Sequence, residues 1–72
     1  MTDKELTTGE RYVGVSFNPS RDPDVDHVKA EAAALIDFVL EHGKDDRCTA
    51  ISVEAIEAGA MWAVKSLTKP KR

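Results

Sequence analysis

The sequence predicts an all-α protein, an antiparallel helical hairpin that follows a short N-terminal helix and an extended segment. Two long stretches, residues 23–42 and 46–68, carry apolar residues at helical spacing. Helix-start signals precede both stretches, and the few residues between them suffice only for a turn, so the two helices must fold back on each other. We therefore predict one hairpin domain over residues 1–72, in which residues 1–20 form an N-terminal arm.

The first long helix has clear signals at both ends. Its apolar positions that follow the i, i+3, i+4, i+7 rule are Val25, Val28, Ala32, Leu35, Ile36 and Val39. Asp22 is a good N-cap, and Pro23 suits the first helical position. Asp24 and Asp26 suit the positive end of the helix macrodipole. Gly43 stands where a left-handed C-cap is expected, so the helix is predicted to end there.

The second long helix is apolar on two sides. One stripe comprises Ile51, Ala55, Ala58 and Trp62, and the other comprises Val53, Ile56, Ala60, Val64 and Leu67. Either Asp45 or Asp46 caps its start, and Pro70 stops it soon after Thr68. One partner helix cannot cover both stripes. Because glycine inside a helix costs about 0.5–1 kcal/mol relative to alanine, Gly59 indicates a close helix crossing.

The N-terminal arm has weaker signals. Thr2 and Glu5 have the spacing of a capping box, which predicts a short helix that ends at residues 7–9. Residues 11–17 then read as an extended segment with alternating apolar positions. The positions expected to face the protein together are Val13, Val15 and Phe17. The Asn-Pro-Ser motif at residues 18–20 closes the segment, because proline restricts the residue before it.

The small size of the chain predicts self-association. A domain of 72 residues buries only about 60% of the surface that its unfolded chain exposes. Cys48 is the single cysteine, so no intrachain disulfide forms, and no cluster of cysteine and histidine suggests structural zinc. Association with further copies is the remaining source of stability.

Charge and hydropathy exclude several classes of protein. A net charge of −3 and a pI near 5.2 argue against binding to long nucleic acid, which requires a basic face. No apolar run approaches the roughly 20 residues of a membrane span. The polar start does not resemble a signal peptide, and a lone cysteine suits a reducing compartment. We therefore expect the protein in a cytoplasm.

The titratable residues show no catalytic arrangement. Glu54 and Glu57 share a helical face, but the Glu-x-x-His pattern of di-iron bundles is absent, so we interpret them as a solvated face. His27 and His42 lie on one helix roughly 22 Å apart, too far to share a site within one chain. Cys48 lies in the first turn of a helix, which lowers a thiol pKa, but no base accompanies it. The sequence predicts no enzyme, no cofactor and no metal.

One end of the hairpin is a candidate binding surface. Folding back brings Lys29 to the level of Lys65. The other cations at this end are Lys69, Lys71 and Arg72. These cations suit a small ligand with phosphates; alternatively, they complement the negative end of the second helix. Similarly, the ring of Tyr12 either stacks on a base or packs the arm against the helices.

Seven short motifs occur in the order and spacing of a phage protein family. They are Arg11-Tyr12, Phe17-Asn18-Pro19-Ser20, Val28-Lys29, Leu35-Ile36-Asp37, Ala50-Ile51, Glu57-Ala58 and Met61-Trp62-Ala63-Val64-Lys65. With them, residues 10–68 resemble the anti-CBASS cyclic-oligonucleotide sponges, whose helical hairpin also occurs in the Thoeris anti-defence sponges. Arg21 departs from the pattern, since a glycine is expected after the Asn-Pro-Ser turn.

The resemblance implies a compact homo-hexamer that sequesters bacterial immune messengers in the cytoplasm of the infected host without cleaving them. The implied ligands are cyclic dinucleotides such as cyclic GMP-AMP, with cyclic trinucleotides at a separate site. Carried over by position, Tyr12 stacks on a purine and Lys29 contacts phosphate. The implied pocket-lining residues are Phe17, Asn18 and Val25, and the implied trinucleotide-site residues are Lys65 and Thr68.

Two other classes of function stay open at this stage. A phosphodiesterase would bind the same messengers but cleave them, and the scattered histidines disfavour it. A small helical adaptor or antitoxin-like protein would bind a protein partner through the surplus apolar face. The sequence does not rank cyclic dinucleotides, cyclic trinucleotides and the cyclic ADP-ribose signals of Thoeris against one another.

Overall fold

Three α-helices and their connecting turns make up residues 6–70, the part of the chain that the computed structural model describes. The helices are α1 (Thr8–Val13), α2 (Pro23–His42) and α3 (Asp46–Thr68), and residues 6–70 contain no strand. The prediction of an all-α protein is confirmed. The capping box predicted at residues 2–5 and the cations at positions 71 and 72 lie outside the described residues.

The start of α2 follows from its local sequence. Asp22 is the N-cap, and its Oδ1 accepts a hydrogen bond of 2.9 Å from the backbone N–H of Asp24. Pro23 occupies the first turn, where its missing N–H is not needed. Two acidic residues in the same turn, Asp24 and Asp26, complement the helix macrodipole. The direction of α2 is therefore set at its first turn.

The turn between α2 and α3 corrects the prediction for Gly43. Its backbone is extended, with φ −64° and ψ 137°, and is not left-handed. Glycine is required there because of a close approach: an added Cβ would lie 2.3 Å from the Thr49 hydroxyl oxygen and 2.7 Å from the Val39 carbonyl oxygen. Asp45 then caps α3, since its Oδ2 accepts a hydrogen bond of 2.7 Å from the Cys48 N–H. The two long helices consequently pack antiparallel.

The extended segment predicted at residues 11–17 is wrong, because α1 occupies its first part. Thr7 and Glu10 form a complete capping box: the Thr7 hydroxyl oxygen accepts from the Glu10 N–H, and Glu10 Oε1 accepts from the Thr7 N–H. The helix runs to Val13 and ends at Gly14, whose φ of 66° is left-handed. A helix therefore begins at Thr8, in the stretch where the sequence pattern predicted that a helix would end.

The turn between α1 and α2 contains a second residue with left-handed backbone. Arg21 has a φ of 56°, the one positive φ of a non-glycine residue within residues 6–70. Its N–H donates to the Asn18 carbonyl oxygen over 3.1 Å, which closes the turn just before α2. The position where the family pattern led us to expect glycine is thus one where the backbone favours glycine.

A close contact at Gly9 holds α1 against α2. The Gly9 N–H donates to Asp37 Oδ1 over 2.7 Å. A Cβ at Gly9 would lie only 2.2 Å from the Ala33 carbonyl oxygen, so no larger residue fits. From this contact the arm runs back along α2 as far as Asn18, which reaches Asp26. The helix α2 therefore packs against both α1 and α3, and α1 also contacts α3.

The three helices form a thin molecule with a small core. The Cα atoms extend over 42 × 31 × 12 Å. The buried apolar residues are Val25, Ala33, Ile36, Val53 and Ala60. The exposed large apolar residues are Tyr12, Phe17, Leu35, Phe38, Leu40, Ile51, Met61, Trp62 and Leu67. The prediction that one partner cannot cover both stripes of α3 is confirmed, because Ile51 and Trp62 remain exposed.

Replacing Gly9 by alanine should destabilise the fold. The new methyl group cannot be accommodated beside the Ala33 carbonyl without moving α1, and such overpacking costs about 1–3 kcal/mol. Urea unfolding followed by circular dichroism measures the change. Thr8→Ala is the matched control, because Thr8 is exposed in the same turn and alanine favours a helix. Equal stability of the two variants would contradict the close packing of α1.

Candidate ligand-binding cleft

A cleft of about 530 Å³ opens between α1 and α3. The helix α1 contributes Tyr12 and Val13, and α2 contributes Lys29. The lining residues of α3 are Glu54, Glu57, Ala58, Ala60, Met61, Val64 and Lys65. The cleft therefore combines an aromatic ring, two cations and two carboxylates with an apolar wall. Such a concave surface with few polar groups is typical of small-molecule sites.

Tyr12 forms one side of this cleft. It lies in the last turn of α1, whose position is set by the Thr7 cap and by the Gly9 contact with α2. The side chain is 48% exposed, so about half of the ring surface is free to contact a ligand. Packing of the arm and stacking on a ligand are therefore compatible roles for this ring.

Lys29 lies at the inner end of the cleft and is 8% exposed. Its Nζ donates to the Gly14 carbonyl oxygen over 3.0 Å and also to the Phe17 carbonyl oxygen. The same atom lies 5.4 Å from the centroid of the Phe17 ring, within the range of a cation–π interaction. The amine thus ties the arm to α2 while its charge remains beside the cleft.

Lys65 stands at the opposite wall, in the last turn of α3. Its Nζ lies 4.7 Å from the centroid of the Trp62 ring, so the ring partly orients the amine. Its charge also complements the negative end of α3. The structure therefore brings Tyr12, Lys29 and Lys65 to one cleft from three helices.

The other residues that the resemblance implied lie outside the lining of this cleft. Phe17 is 71% exposed beside Lys29, whereas Val25 is 2% exposed in the core. The Asn18 Nδ2 donates to the Asp22 carbonyl oxygen over 2.9 Å and to Asp26 Oδ1 over 2.8 Å. At the end of α3, Thr68 donates its hydroxyl proton to the Val64 carbonyl oxygen over 2.8 Å. Within one chain, Asn18 thus serves the turn and Val25 serves packing.

Glu54 and Glu57 are the cleft residues that sequence reasoning missed. They were interpreted as a solvated face, and both are exposed, yet both line the cleft. They also line a second opening of about 470 Å³ nearer the hairpin turn, which shares Tyr12 with the first. A sequence signal for Glu57 was available: Glu57, Met61 and Lys65 follow one another at a spacing of one helical turn, which places Glu57 on the same face of α3 as Lys65.

The other titratable residues singled out in the sequence lie outside this cleft. Within residues 6–70, no group of three or more potential ligands from His, Cys, Asp and Glu lies together to hold a metal ion. The helix start, which could have lowered the pKa of Cys48, does not do so, and the side chain is exposed rather than buried or half-buried. The Asp45 side chain, which hydrogen-bonds to Cys48, raises the pKa of the thiol, and desolvation adds to the increase. In turn, the hydrogen bonds with Cys48 lower the pKa of Asp45.

Among the described residues, none of the helices combines the length and the hydropathy that crossing a bilayer requires.

The fold is an all-α helical hairpin with a preceding short helix and a cleft between α1 and α3. The family model described as "Acb2/Tad1, hairpin domain" matches residues 10–68. The chain therefore belongs to the Acb2/Tad1 hairpin family, the family of the anti-CBASS and anti-Thoeris sponges. No curated protein and no solved structure matches the chain. Proteins of this family sequester their ligands and are not enzymes.

Replacing Asp45 by asparagine should make Cys48 react at lower pH. Asparagine keeps the N-cap but removes the carboxylate that holds the thiol pKa above its usual range. Because the thiolate is the nucleophile, the rate of reaction with a disulfide reagent should rise with pH earlier in the variant than in the parent. Asp46→Asn is the matched control in the same turn. Identical pH profiles for the parent and Asp45→Asn would exclude the proposed influence of Asp45.

Proposed function

We propose that this protein binds and sequesters cyclic oligonucleotide second messengers without cleaving them, and so inhibits CBASS immunity in the cytoplasm of the infected bacterial host. The observation that carries the proposal is the cleft in which Tyr12, Lys29 and Lys65 converge from three helices. Membership of the sponge family supports the same conclusion. The proposed ligands are cyclic dinucleotides such as cyclic GMP-AMP, together with cyclic trinucleotides.

Each cleft residue matches one chemical part of a cyclic dinucleotide. The half-exposed ring of Tyr12 offers a stacking surface for a purine, an interaction worth about 1–3 kcal/mol per base. The ammonium groups of Lys29 and Lys65 offer hydrogen-bond donors and positive charge for phosphate. The apolar wall at Ala58 and Met61 suits the faces of the sugar and the base.

Lys29 has a specific part in this proposal. Its hydrogen bonds to the Gly14 and Phe17 carbonyls keep a buried cation satisfied in the absence of ligand. A phosphate oxygen is a stronger acceptor than a neutral carbonyl, because both partners of the new bond are charged. Phosphate binding at Lys29 would therefore also act on the arm that carries Phe17 and Asn18, the further residues proposed for the pocket.

Sequestration needs binding alone. A protein that holds a messenger lowers its free concentration by mass action, so affinity and protein concentration set the effect. Val25 would line the ligand pocket only if the arm moves from the core, since it is 2% exposed. We assign Lys65 and Thr68 to the cyclic trinucleotide site at the end of α3, so this site and the cleft would share Lys65, the basic residue of the last turn.

Calorimetric titration with 3′,3′-cyclic GMP-AMP and with a cyclic trinucleotide tests the proposed function. The expected result is saturable binding, followed by recovery of the intact cyclic compound after the protein is denatured. Absence of heat and of ligand retention with both compounds would overturn the proposal. Recovery of a linear product would instead assign the protein to the phosphodiesterases.

Tyr12→Ala should weaken the binding of cyclic GMP-AMP while leaving the fold nearly unchanged. The loss of stacking is worth about 1–3 kcal/mol, which corresponds to roughly a 5- to 150-fold increase in Kd. Tyr12→Phe is the matched control, because it keeps the ring and should bind within a few-fold of the parent. Calorimetry and thermal melting measure the two effects. A large fall in Tm with alanine would assign the ring to packing instead.

We further propose that the sponge is a homo-hexamer. Ile51 and Trp62 of α3 are exposed, and a second copy would cover them. Gly59 follows Ala58 of the same stripe, and no atom lies within 4 Å of a Cβ built there, so the close crossing inferred from this glycine is not made within residues 6–70. A crossing between copies would use the same glycine.

Gly59→Leu should break the hexamer while the single chain keeps its helices. Leucine meets open space within the chain and is the better helix former by several tenths of a kcal/mol. Native mass spectrometry should therefore show hexamers for the parent and smaller species for the variant, with unchanged helical circular dichroism. A parent that is a stable monomer at micromolar concentration would contradict the hexamer and favour the alternative of an adaptor that waits for a protein partner.

A further inference from the structure

The positive and negative side chains that line the cleft lie toward different ends of it. Glu54 and Glu57 border the opening that continues toward the hairpin turn, whereas Lys65 lies two helical turns beyond Glu57. At 1.5 Å per residue, Glu57 and Lys65 are about 12 Å apart along α3. A ligand in the cleft therefore meets positive charge at one end and negative charge at the other.

The two carboxylates have unused acceptor capacity. Within residues 6–70, neither the Glu54 nor the Glu57 side chain makes a hydrogen bond or an ion pair with another residue. Both line the two openings that Tyr12 also lines, so the three side chains share one rim. A base that stacks on Tyr12 consequently lies in openings that both carboxylates line.

The carboxylates also restrict how a phosphate ligand lies. A phosphate near Glu54 or Glu57 meets like charge, whereas one near Lys29 or Lys65 meets opposite charge. The phosphates must therefore point to the lysines, and the part of the ligand that faces the carboxylates must be uncharged and must donate hydrogen bonds.

We propose, on the basis of the proposed function, that Glu54 and Glu57 accept hydrogen bonds from the Watson–Crick edge of a guanine that stacks on Tyr12. The chain then prefers guanine-containing cyclic dinucleotides to those that contain adenine alone. The two glutamates act as specificity-determining residues, and the lysines hold the phosphates that every cyclic dinucleotide shares.

The preference follows from the donors on each base. Guanine presents the N1–H and the N2 amino group side by side, and an ionised carboxylate, which only accepts, takes both bonds at once. Adenine presents the N6 amino group beside the lone pair of N1, which faces a carboxylate oxygen without a proton between them. A binding site built to hydrogen-bond its ligand rejects a ligand that lacks the matching group.

Competing titrations of cyclic di-GMP and cyclic di-AMP against the full chain test this inference. We expect the parent to bind cyclic di-GMP at least about tenfold more tightly. The double variant Glu54→Gln/Glu57→Gln should lose most of that ratio, because an amide donates as well as accepts and so pairs with adenine. Glu31→Gln/Glu41→Gln on α2 is the matched control: it removes the same charge outside the cleft and should keep the ratio.

The readout is the ratio of the two dissociation constants. Loss of negative charge alone strengthens the binding of both anions equally and leaves the ratio unchanged. Equal binding of the two messengers by the parent, a preference for cyclic di-AMP, or a ratio that survives the double variant would overturn the inference and leave the sponge function standing. Failure of both messengers, of cyclic GMP-AMP and of a cyclic trinucleotide to bind would instead remove the proposed function itself.

Discussion

The buried ammonium group of Lys29 is the interaction on which the rest of the structure depends. It is the one charged side chain that is buried within residues 6–70, and its bonds to the Gly14 and Phe17 carbonyls connect α2 with the arm. The arm carries Tyr12. The Lys29 contact, together with the close packing of Gly9 against the Ala33 carbonyl, therefore sets the position of the Tyr12 ring relative to α3. A buried cation is costly unless it is paired, and here backbone oxygens provide the pairing. The cleft is thus a product of arm placement rather than of the hairpin alone.

A second constraint is the thickness of the molecule. The molecule is thin in one direction, and large apolar side chains such as Phe38 and Trp62 are exposed. Hydrophobic area of this kind normally marks an interaction surface. In the proposed homo-hexamer, copies of the chain that cover these side chains would also complete the walls of the cleft.

Local sequence signals predicted much of the fold but little of the cleft. The caps at Asp22 and Asp45 and the glycine between the long helices act over a few residues, and such effects can be read directly from the sequence. The arm was misread because two capping boxes overlap there and three alternating apolar residues are a weak period. The carbonyl partners of Lys29, and the approach of Glu54 to Tyr12, join residues far apart in the chain, and no periodic pattern encodes them.

The backbone at Arg21 has a consequence for how related chains diverge. An L-residue at a φ of 56° is disfavoured relative to glycine by roughly 1 kcal/mol, yet the Asn18 bonds to Asp22 and Asp26 keep the turn closed around it. The arginine places a permanent guanidinium directly ahead of an aspartate-rich helix start. Arginine at this position therefore costs conformational energy in the backbone but adds a positive charge. A related chain with glycine at this position would keep the same backbone path and have a more acidic surface at the start of α2.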